Sequence, residues 1–261
     1  MKVAFITLSE EGVRLGALLG GRMPAMDYFV HEGAGTTSFI HERFASIHEL
    51  AGRLFGEYEG LIFCGPTGIA VRAVAPLLEH KRRDPAVVVV DVCGRYAVSL
   101  LGGHEAGANR LAVEAANALG AEPVITTTGE ARKRCIVGIG CRRGTPKEAI
   151  VRAVRSALES ASVQFEEVRL LATADVKRDE EGLIEAAREL DLPLRFIASS
   201  EIKAEASRFA GSAFVEEKTG LPAVAEPAAV LAGRRATLIL PRTTFPGVTV
   251  AIARENCSWS E

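Results

Sequence analysis

The stretch Asp84–Asn109, DPAVVVVDVCGRYAVSLLGGHEAGAN, decides the fold of the N-terminal half. It holds two apolar runs, Ala86–Asp91 and Ala97–Leu101, followed by a glycine-flanked histidine and the start of a helix. Nearly continuous Val/Leu runs are typical of strands that are covered on both faces. We therefore predict two strands of a buried sheet, then a helix over Glu105–Leu119 that stops at Gly120.

The same alternation of apolar runs and helical patterns continues on both sides of this stretch and predicts the α/β class. Residues 1–130 are predicted to form an N-terminal Rossmann-like, mostly parallel, three-layer domain. Residues 131–261 are predicted to form a C-terminal mixed-sheet α/β domain, with the polar segment Thr126–Arg134 as linker. In the second domain, Thr145 is predicted to cap a helix, and Glu148 to complete a capping box.

Composition limits the class of protein. The 261 residues carry a formal charge of −2, which gives no global basic footprint for nucleic acid. No apolar run approaches the roughly 18 residues of a membrane helix. The opening MKVAFITLSEEG predicts a first strand rather than a signal peptide. Five cysteines without a CxxC pair predict a reduced, cytoplasmic protein with neither disulfides nor a zinc cluster. They are Cys64, Cys93, Cys135, Cys141 and Cys257.

Three strand-to-helix turns share one design: Cys64–Arg72, Leu101–Asn109 and Gly138–Thr145. In each, glycines allow the backbone to bend or approach a ligand, and the N–H groups of the following helix favour negative charge. Open α/β sheets bind ligands at such strand ends, so we predict an anion-rich ligand. The dinucleotide pattern GxGxxG and the Walker pattern are absent. The predicted ligand contacts in the first two turns are Gly65, Thr67, Gly68, Gly102, Gly103 and Asn109.

His104 is the most chemically promising residue, because it lies between glycines and a helix start, and its ordinary pKa suits acid–base catalysis. Glu105 beside it is predicted to orient it or to act itself. The alternative is that His104 only caps the helix or bonds a loop. The other histidines, His31, His41, His48 and His80, are interpreted as surface residues. No His/Cys/carboxylate companions stand at metal-ligand spacing, so no protein-held metal is predicted.

Arginines supply the predicted clamps for carboxylates, through bidentate hydrogen bonds. Arg72, Arg142 and Arg143 are the candidates, and a solvated surface is the alternative for each. Asp175 and Lys177 follow a predicted strand, at the edge where we also place Arg142, and are predicted substrate contacts. Cys141 joins the candidate contacts, although apolar packing is its competing role. The charged turn Lys81–Asp84 is interpreted as serving solubility more than a site.

Several motifs together resemble one family. They are GPTGIAVRAVAPLL, DPAVVVVD, GRYAVSLLGGHEAGANRLA, GIGCRRGT, TADVKRDEEGL and GVTVAIAR. The combination is similar to the CbiG family, the cobalt-precorrin-5A hydrolases of anaerobic cobalamin biosynthesis, along nearly the whole chain. From about Arg134 onward the sequence also resembles CobE. The family usually has a middle segment, which the direct join at Thr126–Arg134 lacks.

The resemblance implies a cobalt corrinoid substrate with acetate and propionate arms, one of them closed as a δ-lactone. The enzyme would open the lactone and release acetaldehyde, giving cobalt-precorrin-5B. The resemblance implies no cofactor beyond the substrate's cobalt, and no nucleic-acid or membrane partner. Contacts with neighbouring enzymes of the pathway and a homo-oligomer are compatible with it. His104 would activate water, the Gly102–Gly103 or Gly65–Gly68 turn would stabilise the oxyanion, and the arginines would hold carboxylate arms in a cleft between the domains.

Two other functions stay open from the sequence. The CobE-like half is compatible with a protein that binds or transfers a corrinoid intermediate without catalysis. A nucleotide- or phosphate-dependent α/β protein is the third hypothesis, against which the missing phosphate-loop motifs argue.

Overall fold

The computed structural model describes residues 1–23, 26–35, 42–209, 211 and 213–256, with no side-chain description at 213 and 214. The predictions for His41 and Cys257 lie outside these residues. The chain divides into two compact units, Met1–Thr127 and Thr128–Glu261. Each contains its own β-sheet, and this two-domain α/β architecture confirms the predicted fold class.

The first unit is a seven-stranded sheet with helices on both faces. Its strand order is β3-β2-β1-β4-β5-β6-β7. The strands are β1 (Val3–Thr7), β2 (Met26–His31), β3 (Glu42–Phe44), β4 (Gly60–Cys64), β5 (Ala86–Val90), β6 (Tyr96–Leu101) and β7 (Glu122–Val124). The helices are α1 (Glu10–Gly20), α2 (Ile47–Leu54), α3 (Thr67–Val74), with a 3-10 turn at Ala75–Leu77, and α4 (Ala108–Leu119).

The core of the first unit lies in two layers, one on each side of the sheet. Side chains of α1 and α4, such as Leu19 and Leu111, pack on one face. Those of α2 and α3, such as Leu54 and Val74, pack on the other. The predicted three-layer arrangement is therefore confirmed. The sequence patterns did not predict α1, β2 or β3.

Strand direction in this sheet changes between β5 and β6. Strands β1 to β5 run parallel to one another, but β6 pairs with β5 in the antiparallel sense, with Val90 opposite Ala97 and Val87 opposite Leu101. Strand β7 runs parallel to β6. The carboxyl end of β6 therefore lies beside the amino end of β5, at the edge where β4 and β5 begin.

The chain reversal between β5 and β6 is closed by the Asp91 carboxylate. It accepts hydrogen bonds from the backbone N–H groups of Cys93 (3.3 Å), Arg95 (2.7 Å) and Tyr96 (2.8 Å). The Arg95 guanidinium adds a fourth, at 3.1 Å. Burial by itself raises the pKa of Asp91, but the hydrogen bonds from Tyr96 and Arg95 outweigh it and hold that pKa below its ordinary value. The carboxylate is therefore charged when it orders the turn.

The second unit has a five-stranded sheet in the order β10-β9-β8-β12-β11. Strands β8, β9 and β10 are parallel, and β12 is antiparallel to both β8 and β11. The strands are β8 (Cys135–Cys141), β9 (Val168–Ala174), β10 (Leu194–Ile197), β11 (Thr237–Phe245) and β12 (Val248–Arg254). The helices are α5 (Thr128–Arg132), α6 (Lys147–Ser160), α7 (Glu181–Glu189), α8 (Ser199–Ala204), α9 (Ala213–Thr219) and α10 (Ala225–Leu231).

Two local predictions for the second unit were wrong. The segment taken as a linker contains the short helix α5. Thr145 does not cap α6: the N-cap is Pro146, without a side-chain hydrogen bond. The Thr145 hydroxyl instead donates to the carbonyl oxygen of Arg142 at 2.8 Å, and α6 begins at Lys147, one residue later than a Thr145 cap requires.

Helix α10 packs directly on the backbone of β8 at Gly138. A Cβ atom at Gly138 would lie 1.9 Å from the carbonyl oxygen of Ala225 and 2.8 Å from the Cβ of Ala229. No side chain fits at this position, since the neighbouring atom is helix backbone. The glycine therefore sets the distance between α10 and the sheet.

Asp91→Asn should lower the free energy of unfolding by about 1–2 kcal/mol near neutral pH, since an amide is a poorer acceptor for these N–H groups. Because the folded pKa of Asp91 is depressed, its contribution is complete above the unfolded pKa of about 3.9 and is lost as the pH falls through the folded value. Denaturant unfolding should show the gap between wild type and variant shrinking as the pH falls from about 5 to about 2. A gap that stays constant over this range would contradict the assignment.

Gly138→Ala should destabilise the protein by about 3 kcal/mol or more, because α10 has to move away from β8. Gly140→Ala is the matched control on the same strand, since its Cβ would meet nothing nearer than 3.5 Å. Thermal or denaturant unfolding of both variants provides the measurement. Equal stability of the two variants would show that α10 does not set this spacing.

Candidate functional site

The loop Gly102–Gly107, here called the His104 loop, joins β6 to α4 at the amino edge of the first sheet. Gly102 has a φ of +69°, and a Cβ there would lie 2.7 Å from the Cβ of Ala106 and 3.2 Å from the carbonyl oxygen of Pro85. Only glycine suits both the conformation and the space. The loop is thereby folded tightly against the residues that precede β5.

Asn109 fixes the end of the His104 loop. Its side-chain oxygen accepts a hydrogen bond from the Ser99 hydroxyl at 2.8 Å, and its amide donates to the Thr127 hydroxyl at 3.0 Å. Its backbone N–H donates to the carbonyl oxygen of Gly103 at 3.0 Å. Asn109 is buried, and its three hydrogen bonds hold the loop in place. A direct contact of Asn109 with a ligand stays a prediction.

His104 itself is exposed. Within the described residues its ring makes no hydrogen bond, and the backbone N–H groups of Gly103 and His104 have no acceptor. Glu105 pairs with Lys81, with 2.9 Å between Oε1 and Nζ. The hydrogen bond from Lys81 is the main cause that lowers the pKa of Glu105, and the nearby His104 contributes in the same direction. Glu105 is therefore a carboxylate at neutral pH, which makes it an electrostatic partner for His104 rather than a proton donor.

The first predicted turn, Cys64–Arg72, lies at the opposite edge of the same sheet. It follows the carboxyl end of β4, whereas the His104 loop follows β6, which runs the other way. A strand of five residues spans about 17 Å, so the Gly65–Gly68 turn is too far away to serve a group at His104. Of the two turns expected as alternatives for stabilising the oxyanion, only Gly102–Gly103 therefore lies beside His104. Thr67 and Gly68 are exposed, and the Arg72 guanidinium contacts the carbonyl oxygen of Gly68 in its own helix at 3.3 Å.

The second unit gathers several predicted residues at one sheet edge. Strands β8, β9 and β10 are parallel, so the residues that follow their carboxyl ends lie together, as the sequence predicted for Asp175 and Lys177. The loop Arg142–Gly144, here called the arginine loop, follows β8. Arg142 is exposed, and its side chain has no partner in the part of the chain that the structure describes. Arg143 pairs with Asp179 at 2.6 Å, but both are exposed, so a ligand could displace the pair at little cost.

The arginine loop rests on Glu180, a residue that the sequence analysis missed. One Glu180 oxygen accepts the backbone N–H of Gly144 at 3.1 Å, and the other pairs with the Lys177 ammonium at 3.2 Å. Both side chains of the pair are buried. Lys177 is thus engaged inside the protein, where it supports the arginine loop through Glu180, and its contact with a substrate stays a prediction. The i, i+3 spacing of Lys177 and Glu180 was the feature of the sequence that could have predicted this ion pair.

Asp175 and Cys141 also have contacts within the protein. Asp175 accepts hydrogen bonds from the backbone N–H and the hydroxyl of Ser199, which begins α8. Burial raises the pKa of the Cys141 thiol to about 11, against an opposing effect of Lys177. Burial likewise raises the pKa of Cys64 to about 12. These thiols are protonated at neutral pH and are not poised as nucleophiles.

A cavity beside the arginine loop does not match an anionic ligand. It has a volume of about 380 Å³ and lies between the starts of α6 and α7. Four of its lining residues are the exposed acids Glu148, Asp179, Glu181 and Glu185. Among the described residues no cluster of three or more His, Cys, Asp or Glu could hold a metal ion. None of the described helices is both long and apolar enough to span a bilayer.

Glu180→Ala should lower stability by about 3–5 kcal/mol, because it leaves the Lys177 ammonium buried without its counter-charge. Amide exchange of Gly144 should speed up as the loop loses its anchor. Glu181→Ala, which removes an exposed carboxylate from the next position, is the control and should leave both values nearly unchanged. Unchanged Gly144 exchange in the Glu180 variant would show that the loop is held by other contacts.

Comparisons with known proteins agree with the resemblance seen in the motifs. The model described as Cobalamin synthesis G N-terminal matches residues 49–130, and the model described as Cobalamin synthesis G C-terminus matches residues 135–253. The cobalt-precorrin-5A hydrolase of Salmonella typhimurium is 26% identical, over 88% of this chain and 91% of its own length. That of Priestia megaterium is 24% identical, over 96% and 94%.

The C-terminal half has further relatives. Protein CobE of Sinorhizobium is 36% identical over 128 residues, which cover 48% of this chain and 83% of CobE. Among solved structures, cobalamin biosynthesis protein chiG of Agrobacterium tumefaciens is 40% identical over 47% of this chain and 99% of its own, with a TM-score of 0.39. A CobE crystal structure is 32% identical, over 47% of this chain and 91% of its own, with a TM-score of 0.44.

Both halves of the chain, with only residues 131–134 between the two matched regions, thus match the two parts of one family. The chain belongs to the CbiG family of cobalamin-synthesis proteins.

Proposed function

We propose that this protein is a cobalt-precorrin-5A hydrolase, which opens the substrate's δ-lactone and releases acetaldehyde to give cobalt-precorrin-5B. The observation that carries the proposal is the match to two relatives of that name over most of both lengths. The exposed His104 in a glycine-fixed loop supplies a group suited to the chemistry. The cobalt comes with the substrate, and we propose a cytoplasmic setting and no further cofactor.

The proposed reaction uses one water molecule. Neutral His104 takes a proton from that water as it attacks the lactone carbonyl, which yields a carboxylate and a free hydroxyl. Loss of the hydroxyl proton then lets the adjacent carbon–carbon bond break, so that acetaldehyde leaves and the bonding electrons stay on the macrocycle. The His104 ring, which has no hydrogen bond among the described residues, is available for both proton transfers.

The electrostatics of the His104 loop favour this chemistry. The Glu105 carboxylate stabilises the imidazolium that forms when His104 accepts a proton, since opposite charges attract strongly at short range. The N–H groups of Gly103 and His104 are the proposed donors to the oxyanion, in place of the Gly65–Gly68 turn at the other sheet edge. Such a donor contributes about 3 kcal/mol to transition-state stabilisation in other hydrolytic enzymes.

The relatives carry residues that this chain lacks. The alignment with the Salmonella enzyme extends over 321 residues, more than the 261 of this chain. The two family regions are adjacent here, with four residues between them. We therefore propose that the reaction groups lie in the two regions that this chain retains.

A second function is supported by the similarity of the C-terminal half to CobE, which is 36% identical over 128 residues and 83% of its own length. On that hypothesis the protein binds or passes on a corrinoid intermediate without changing it. Release of acetaldehyde from cobalt-precorrin-5A under anaerobic conditions separates the two functions, because a binding protein produces none.

His104→Ala should lower the rate of acetaldehyde release by about 100-fold or more, in line with the usual contribution of a general base. Corrinoid binding should stay within a few-fold of wild type, since the imidazole acts on water rather than on the carboxylate arms. His48→Ala, at another exposed histidine, is the control and should keep the wild-type rate. Wild-type rates in the His104 variant would exclude His104 as the base.

A further inference from the structure

The charged turn Lys81–Asp84 and the His104 loop lie against each other at the amino edge of the first sheet. The Lys81 ammonium pairs with Glu105 at 2.9 Å. The carbonyl oxygen of Pro85 lies 3.2 Å from where a Cβ on Gly102 would be. Strand β6 ends where β5 begins. The turn Lys81–Asp84, which was interpreted as serving solubility, therefore lies beside the loop that carries the candidate base His104.

This turn has an ordered backbone. The Asp84 carboxylate accepts the N–H groups of Glu79 and His80, both at 3.1 Å. The His80 ring nitrogen accepts the N–H of Arg82 at 3.3 Å, and the N–H of Arg83 donates to the His80 carbonyl oxygen at 2.8 Å. The two arginine side chains therefore extend from a fixed backbone, which reduces the ordering cost of binding a ligand.

Two of the charges in this turn have no ionic partner among the described residues. Lys81 is paired with Glu105, whereas Arg82 and Arg83 are exposed and form no ion pair with any described residue. Arg143 of the arginine loop, by contrast, has Asp179 as its partner. Exposed guanidinium groups at two neighbouring positions, neither paired with a carboxylate of the described residues, are suited to bidentate binding of carboxylates.

We propose that Arg82 and Arg83 bind carboxylate arms of the corrinoid and hold the macrocycle against the His104 loop. They take the role that the sequence analysis gave to Arg72, which lies at the other sheet edge. Lys81 is a positioning residue, because it reaches the site through Glu105. This inference rests on the proposed function, since it takes its ligand class from that reaction.

The test compares two charge-matched variants of the full chain. Arg82→Gln with Arg83→Gln removes the proposed binding pair. Arg152→Gln with Arg155→Gln removes two exposed arginines from α6 of the other unit and is the control for net charge. The probes are cobyrinic acid, whose arms end in free carboxylates, and its fully methylated ester, whose arms are neutral. Binding is followed by equilibrium titration, with thermal unfolding as a check on folding.

The first pair of substitutions should weaken binding of cobyrinic acid by about tenfold or more, as expected for lost charge-assisted hydrogen bonds. Binding of the ester should change little. In turnover of cobalt-precorrin-5A, the same variant should raise KM while kcat stays within about threefold, in contrast to the His104 variant. The control pair should match wild type in every measurement.

Wild-type affinity for cobyrinic acid in the Arg82/Arg83 variant would overturn the proposal, as would equal weakening in the control pair. Equal weakening for acid and ester would also overturn it, because the arginines would then not be recognising charge. If the wild-type protein releases no acetaldehyde but binds cobyrinic acid in an Arg82/Arg83-dependent way, the binding site stands and the hydrolase assignment fails.

Discussion

The reversal of the chain at Asp91 is the constraint on which the candidate site depends. One carboxylate accepts hydrogen bonds from three backbone N–H groups in the turn between β5 and β6, and the next strand consequently runs antiparallel to its neighbour. Had β6 run parallel, the His104 loop would lie at the carboxyl edge, beside the Gly65–Gly68 turn. Because of the reversal, the His104 loop lies at the other edge, beside the turn that contains Lys81, Arg82 and Arg83 and precedes β5.

This arrangement departs from the usual rule for open α/β sheets, in which ligands bind outside the carboxyl ends of the strands. The rule was formulated for parallel strands. In this mixed sheet, each of the two edges contains the carboxyl end of at least one strand. His104 does follow the carboxyl end of its own strand, but the antiparallel direction places that end beside the amino ends of β4 and β5. The basic turn before β5 therefore replaces Arg72 as the source of positive charge.

A buried ion pair in the second unit supports an exposed loop. Lys177 and Glu180 form an ion pair inside the protein, and the second Glu180 oxygen holds the backbone of Gly144. Such a pair is tolerated because each charge is hydrogen-bonded. The pair thereby fixes the backbone of the arginine loop after β8, where Arg142 is exposed.

Sequence patterns predicted many of the elements, because apolar periodicity depends only on which faces of a segment are buried. They predicted β5 and β6 to within a residue, and the glycines of the His104 loop because few residues suit such a backbone. They missed α1, β2 and β3. They also placed the N-cap on Thr145, because only the folded turn shows that α6 begins one residue later.

The sequence by itself determined the class, the two halves, the family motifs and the candidate base His104. The tertiary structure alone decided strand direction, and with it which residues share an edge. The physical reason is that a Val-rich run buried on both faces is the same for parallel and antiparallel pairing. The direction of β6 is set by its hydrogen bonds to β5 and by the Asp91 turn. The periodicity of apolar residues carries no information about the geometry of that turn.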